Sequence, residues 1–321
     1  MASQHKPDLS VVVAIVSDTT DRAAVGHLTP CLRSLLPQQK QVSLEILVPY
    51  HTDVEGIEHV KLEFPEVKFL PVTEAKHPPS SRSREHHDIL RSRGLSAARS
   101  DLVALLEDHS LADPGWCASI VAAHRDRYAA IGGAIENGVD RPLNWAVYYC
   151  DFGRYQNPLP NGESQYASDA NVSYKRSALE LVRPAWEHSF REVVVNGSLR
   201  ALGETVGLRQ DIIVYQHRQN LRLTGALLER FVWGRSYAAT RNAQLNRSKR
   251  IVCAALSPVL PLILLRRMAF TAWNRRRHFG KFIRSIHLIA LLQISWSFGE
   301  GVGYLTGVRA APPAREDGAA G

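Results

Sequence analysis

Short, densely apolar runs recur along the first part of the chain, up to about residue 135. LSVVVAIV (9–16), SLEILVPY (43–50), VKFLPV (67–72), DLVALLE (101–107) and AAIGGAIE (129–136) read as strands. Several are apolar at almost every position instead of alternating, the pattern of strands covered on both faces. Between them the spacing predicts helices over 23–36, 87–99 and 114–127, the last with Asp113 as N-cap and Pro114 at the first helical position. Strand and helix in alternation predict an α/β fold with a mostly parallel sheet and helices on both faces.

Sheets of that kind bind ligands beyond the carboxyl ends of their strands. One such end is LVALLEDHSLADPGW (102–116), where an aliphatic strand runs into Glu107, Asp108 and His109. No glycine fingerprint follows the first strand; VSDTTDR stands there, which argues against a dinucleotide-binding dehydrogenase, and a P-loop is also absent. The segment 144–176 is irregular and aromatic, with a Pro-, Asn- and Gly-rich middle that predicts a long loop, functional or disordered. A helix-rich stretch around PAWEHSFREVV and a strand DIIVYQH (211–217) follow.

The organisation changes after residue 220. IVCAALSPVLPLILL (251–265) is followed by Arg266, Arg267, Arg275, Arg276, Arg277, Lys281 and Arg284 and then by IHLIALLQISWSFGEGVGYL. A spanning helix needs ~20 apolar residues, so neither run reads as a comfortable crossing, and amphipathic or hydrophobic helices lying in the plane of a membrane fit better. The formal charge of +8 belongs to this region. Residues 221–307 hold 14 Lys and Arg against 2 Asp and Glu, and the rest of the chain holds 25 against 29. Cations interleaved with apolar runs fit an anionic membrane surface, and no nucleic-acid partner is expected. The four scattered cysteines predict reduced, packed thiols, and the polar N-terminus shows no secretory signal, so the cytoplasmic face of an inner (plasma) membrane is the expected location. The expected organisation is a catalytic domain over 1–220, a basic, hydrophobic helical region over 221–307 and a disordered tail over 308–321.

If Glu107 to His109 continue the strand, alternation puts Glu107 and His109 on one side and Asp108 on the other. If the strand has turned, Asp108 joins them. Mixed oxygen and nitrogen ligands suit Mn²⁺ or Zn²⁺ better than Mg²⁺. An acidic turn that caps a helix is the plainer explanation of the same residues.

The surroundings favour the chemical one. An acidic triplet at a strand end, then proline-glycine-tryptophan, after an upstream RSRGLSAARSD, resembles the metal-site region of family 2 glycosyltransferases, enzymes of GT-A fold. LSVVVAIV resembles that family's first nucleotide-binding strand, SDANVSYKR its acceptor-side segment, WEHSFREVV the region of its catalytic carboxylate, and VYQH its late histidine-ended strand. The hydrophobic tail resembles that of bacterial membrane-associated members. The resemblance implies a nucleotide-sugar donor, a divalent metal (Mn or Mg) and a carbohydrate or lipid-linked acceptor. It also implies site residues: Glu107, Asp108, His109 and His217 toward metal; Ala14, Val16, Tyr50, Arg91, Arg93, Glu107 and Asp108 toward the nucleotide sugar; and Glu187, preferred, or Glu192 as general base. Arg230 and Arg235 are further candidates.

Three departures stand out. The motif is Glu-Asp-His instead of Asp-x-Asp, the strand of 43–50 ends in Val48-Pro49-Tyr50 without an acid, and the usual acidic pair before a helix is absent. The expected function is therefore inverting transfer of a sugar to an acceptor hydroxyl in lipid-linked or surface polysaccharide synthesis. The alternatives are a catalytically inactive membrane scaffold with the same fold and, more remotely, a nucleotidyltransferase.

Overall fold

In the computed structural model the described residues are 6–16, 25–74, 85–242 and 245–306. The start of the helix expected from residue 23, most of VSDTTDR and the expected tail over 308–321 lie outside them.

The apolar runs form strands as expected: β1 Leu9–Ala14, β2 Leu44–His51, β3 Lys68–Val72, β4 Leu102–Glu107 and β6 Ala130–Asn137. Their continuous apolarity has a direct cause. Val11 and Val13 of β1, with Ala104 and Leu106 of β4, face a core that includes α1 (Val25–Leu35), α4 (Trp116–Ala123) and α5 (Pro142–Asp151). Val12, Val103 and Leu105 face a second core with α3 (Glu85–Ala97), α6 (Arg176–Leu181) and α7 (Glu192–Ala201). Both parities are buried, so neither can be polar.

The sheet is mixed. β3, β2, β1 and β4 are parallel neighbours, whereas β8 (Asn171–Lys175) runs antiparallel between β4 and β6, and β9 (Val206–Gln216) pairs parallel with β6. The parallel order thus holds for the N-terminal half of the sheet. Part of the segment expected to be a long loop is ordered as α5, β7 (Gly162–Ser164) and β8.

One connection sets the shape. Only Asp108 and His109 separate β4 from β5 (Ser110–Ala112), yet β5 pairs with β9. In the order β4-β8-β6-β9-β5 that is four strand spacings, ~19 Å in a flat sheet. The chain from Glu107 to Ser110 reaches at most ~11 Å. The sheet must curl, and the acidic triplet lies inside the curl.

After β9 come α8 (Leu223–Asn242), α9 (Arg247–Leu256), α10 (Leu260–Arg275) and α11 (Phe279–Thr306). The helical stretches Arg247–Arg275 and Phe279–Thr306, of 29 and 28 residues, are long and apolar enough to cross a bilayer. The apolar run of 251–265 is shorter than a crossing needs, but the helical stretch that contains it is longer, and Pro258 and Pro261 do not end it. Each proline sits at the start of its own helical segment, where it has no hydrogen bond to break. α9 buries none of its side chains and α10 only Ala272. α11 lies closely along α8: a Cβ on Gly299 would overlap the Phe231 carbonyl, and one on Gly234 the Trp296 carbonyl.

Gly299→Ala should therefore cost about 1–3 kcal/mol in chemical denaturation, the usual penalty of overpacking. Gly225→Ala on α8, with open space around it, should change stability by at most ~1 kcal/mol and toward greater stability.

Candidate active site

β4 delivers Glu107 to its carboxyl end, and the chain turns at Asp108 and His109. The turn is pinned to β1. Asp108 N–H donates to the Ala14 carbonyl at 3.0 Å, and the Asp108 carboxylate Oδ1 accepts from Val16 N–H at 3.1 Å. Ala14 and Val16 thus present backbone to the acidic turn, where their apolar side chains carry no signal of it.

Arg91 organises the surroundings. Its side chain is 1% exposed and its Nη2 lies 3.1 Å from Glu107 Oε1 and 2.9 Å from Asp169 Oδ2, with Asp88 at 3.7 Å from Nη1. Burial works against the guanidinium's charge, but Asp169, Glu107, Asp88 and Glu192 outweigh it and raise its pKa above the ordinary arginine value. Arg91 is enclosed by carboxylates and acts through them.

With Glu107 joined to Arg91, Asp108 and His109 form the inner corner. His109 Nδ1 is buried without a hydrogen-bond partner, 3.3 Å from Asp108 Oδ1, and Nε2 is 3.4 Å from Glu107 Oε2. An orphaned imidazole nitrogen beside a carboxylate is a donor set that fits a divalent metal. Among the described residues no ready-made group of three His, Cys, Asp or Glu side chains for a metal is present. His217 is brought next to His109 by the ladder of β5 and β9: its N–H donates to the His109 carbonyl at 2.7 Å. Burial lowers the His217 pKa, which favours the neutral imidazole.

These residues open on a cleft of about 170 Å³ whose walls include Val16, Glu107, His109, Asp169 and Glu192. The two carboxylates expected as base candidates part company here. Glu192, in the first turn of α7, lines the cleft. Glu187 does not; its carboxylate is 3.7 Å from the exposed His188, while its carbonyl accepts from Ser92 Oγ at 2.6 Å. Tyr50 and Arg93 are also outside the lining. The Tyr50 hydroxyl accepts from Lys61 Nζ at 2.7 Å, and Arg93 reaches Glu74 at 3.5 Å. Arg230 is buried against Asp151 and Arg235 is absent from the cleft wall.

Several lining residues were not singled out from the sequence. Asp169 sits in SDAN, a segment noted for its resemblance and not for its acid. The neighbouring Asn171 fixes it: Nδ2 donates to the Ala134 and Ile212 carbonyls at 2.9 and 3.0 Å, and Oδ1 accepts from Trp116 Nε1 at 2.9 Å. Trp116 of the DPGW run thereby ties the acidic turn to the Asp169 loop. Asp151 ends α5 and Arg154 follows it, Arg218 lies just after β9, and Glu229 and Trp233 come from α8. Arg218 pairs with Glu229 at 3.1 Å. No spacing in the sequence links them.

Arg91→Met should destabilise the protein by about 3–5 kcal/mol in denaturant unfolding, because it leaves the Glu107 and Asp169 carboxylates buried without their cation. Arg93→Met, at a half-buried and looser pair, should lose about 1 kcal/mol or less.

Comparison with known proteins bears on what such a site does. No curated protein matches the chain. Among solved structures, the mannosyltransferase PcManGT from Pyrobaculum calidifontis, in complex with GDP-Man and Mn²⁺, aligns with 13% identity and a TM-score of 0.46, over 97% of this chain and 77% of its own. Residues 81–183, which span the acidic turn, Asp169 and Asn171, match the family model of Glycosyl transferase family 2.

Proposed function

We propose that this protein is a membrane-associated, inverting glycosyltransferase that moves a sugar from a nucleotide-sugar donor to an acceptor hydroxyl. The observation that carries this reading is the convergence in one cleft of His109, with Asp108 behind it, and the Glu192 carboxylate. The family match over 81–183 supports glycosyl transfer, and the inverting course follows from having a carboxylate available on the acceptor side.

Asp108 and His109 would hold a divalent metal, with His217 beside them; such an ion supplies stabilisation of the charge that builds on the leaving diphosphate. Two or three protein ligands are enough where substrate phosphates complete the shell. The nucleotide lies toward the carboxyl end of β1, along the backbone of Ala14 and Val16. Glu107 and Asp169 are held by Arg91, a positioning residue that keeps two like charges side by side in a buried wall. Glu192 takes the proton of the acceptor hydroxyl, whose oxygen then attacks the anomeric carbon from the face opposite the departing diphosphate.

The apolar outer surfaces of α9, α10 and α11, with the basic residues between them, support attachment of the 221–307 region to the anionic, cytoplasmic side of a membrane. A lipid-linked or surface-polysaccharide acceptor fits that position.

A panel of uridine and guanosine diphosphate sugars, tested by thermal shift with and without Mn²⁺, should contain one that stabilises the protein only when metal is present. Asp108→Ala and His109→Ala should abolish that shift. Glu192→Gln should keep it and lower turnover by about 10²–10⁴. Unchanged turnover in Glu192→Gln, with loss in Glu187→Gln, would move the base to Glu187; absence of any donor-induced shift would favour an inactive scaffold.

A further inference from the structure

One face of α1 runs along the acidic turn. Cys31 Sγ donates to the Glu107 carbonyl at 3.7 Å, Ala112 N–H donates to Ser34 Oγ at 3.0 Å, and Gln38, in the turn after the helix, donates from Nε2 to the Asp113 carbonyl at 3.0 Å. Positions 31, 34 and 38 have the spacing of one helix face, and four residues before Cys31 on that face stands His27. Its ring meets that of His109 edge to face, with centres 6.5 Å apart and planes at 78°. His27 is absent from the cleft wall, so it reaches the site through His109 and not through a substrate in the cleft.

His109 has an unmet need on this side. Its side chain is 8% exposed, and its Nδ1 is buried without a hydrogen-bond partner, 3.3 Å from Asp108 Oδ1. Buried nitrogens are normally satisfied, and the edge of a second imidazole does not by itself satisfy this one, whereas a shared cation does. A metal–nitrogen bond of ~2.1 Å allows the ring centres of two imidazoles on one ion to stand up to ~6.5 Å apart. The His27–His109 separation lies at that outer limit. Among the described residues no three side chains are already closed on an ion, and a side-chain rotation of His27 is the movement that closes this group.

Resting on the metal-dependent reading above, we infer that His27 is a further metal-binding residue, and that His27, His109 and Asp108 hold a divalent ion in place before the donor arrives. Three protein ligands leave coordination positions open for phosphate oxygens and water. Two imidazole nitrogens and one carboxylate favour Mn²⁺, Co²⁺ or Zn²⁺ over Mg²⁺, which prefers oxygen alone. His27 thereby sets which ion the site accepts and makes that ion part of the protein instead of a passenger on the nucleotide.

The test uses the full chain in detergent, stripped of metal, with Mn²⁺ or Mg²⁺ alone as the probe and no nucleotide present. Calorimetry should show Mn²⁺ binding to wild type, Mg²⁺ at least about tenfold more weakly, and Mn²⁺ binding to His27→Phe weakened about tenfold or more. Phenylalanine keeps an aromatic edge against His109 and removes the nitrogens. Pulsed EPR of bound Mn²⁺ should count at least two imidazole nitrogens in wild type and one fewer in His27→Phe. Equal Mn²⁺ affinity in the two proteins, or Mg²⁺ bound by wild type as tightly as Mn²⁺, overturns the inference. A weakened affinity with an unchanged nitrogen count makes His27 a positioning residue for His109 and also overturns it. So does a His27→Phe defect confined to binding of guanosine or uridine diphosphate in metal-free buffer, which assigns the residue to the donor diphosphate. Mn²⁺ bound by wild type only after a nucleotide is added overturns the resident ion. A single nitrogen in wild type overturns the inference whether or not the variant folds, and thermal unfolding of the metal-free proteins shows whether it does. Absence of Mn²⁺ binding with and without nucleotide removes the metal-dependent reading on which the inference rests.

Discussion

A guanidinium with 1% of its side chain exposed has to be matched by negative charge, and Arg91 is matched three times over. Asp88 comes from its own helix, Glu107 from the end of β4 and Asp169 from the approach to β8. Removing the arginine would leave these carboxylates in the interior without their cation. The arrangement is no general source of stability, since a buried ion cluster roughly offsets its own desolvation. What it provides is a shared anchor: one guanidinium nitrogen, Nη2, holds Glu107 and Asp169 to the same wall. It also divides labour within the acidic triplet. Glu107 is occupied by Arg91, which leaves Asp108 and His109 as the pair facing each other at 3.3 Å.

The same triplet is under a geometric constraint. Two residues must carry the chain from the centre of the sheet to the strand beyond β9, so the turn cannot be lengthened or relaxed without uncurling the sheet. Backbone bonds to β1 on one side and to His217 on the other hold it in place. A site built from a turn normally inherits a loop's mobility. This one is stitched into the sheet on both sides, which suits residues that must hold a fixed separation during a reaction.

That constraint explains what could be read in advance and what could not. The parallel half of the sheet was legible because burial on both faces removes polar residues from whole strands. Glu107 to His109 stood out because they interrupt such a strand. Arg91 was visible as an arginine near the site but not in its role, because a solvent-facing phosphate ligand and a buried counter-ion look alike on a helix with little amphipathic contrast. Glu187 and Glu192 lie five residues apart, and only the start of α7 at Glu192 decides which of them looks into the cleft. Asp169 and Arg154 sit in an irregular stretch without periodicity. Their positions are set by tertiary contacts such as those of Asn171 and Arg275, which no local pattern encodes.

The division of charge along the chain then takes on a spatial meaning. The first 220 residues carry a slight acidic excess and residues 221–307 a large basic one. Folded, the acidic side supplies the cleft's carboxylates, Glu107, Asp169 and Glu192 among them. The basic side supplies a turn, from Arg275 to Lys281, attached by hydrogen bonds to the cleft's rim.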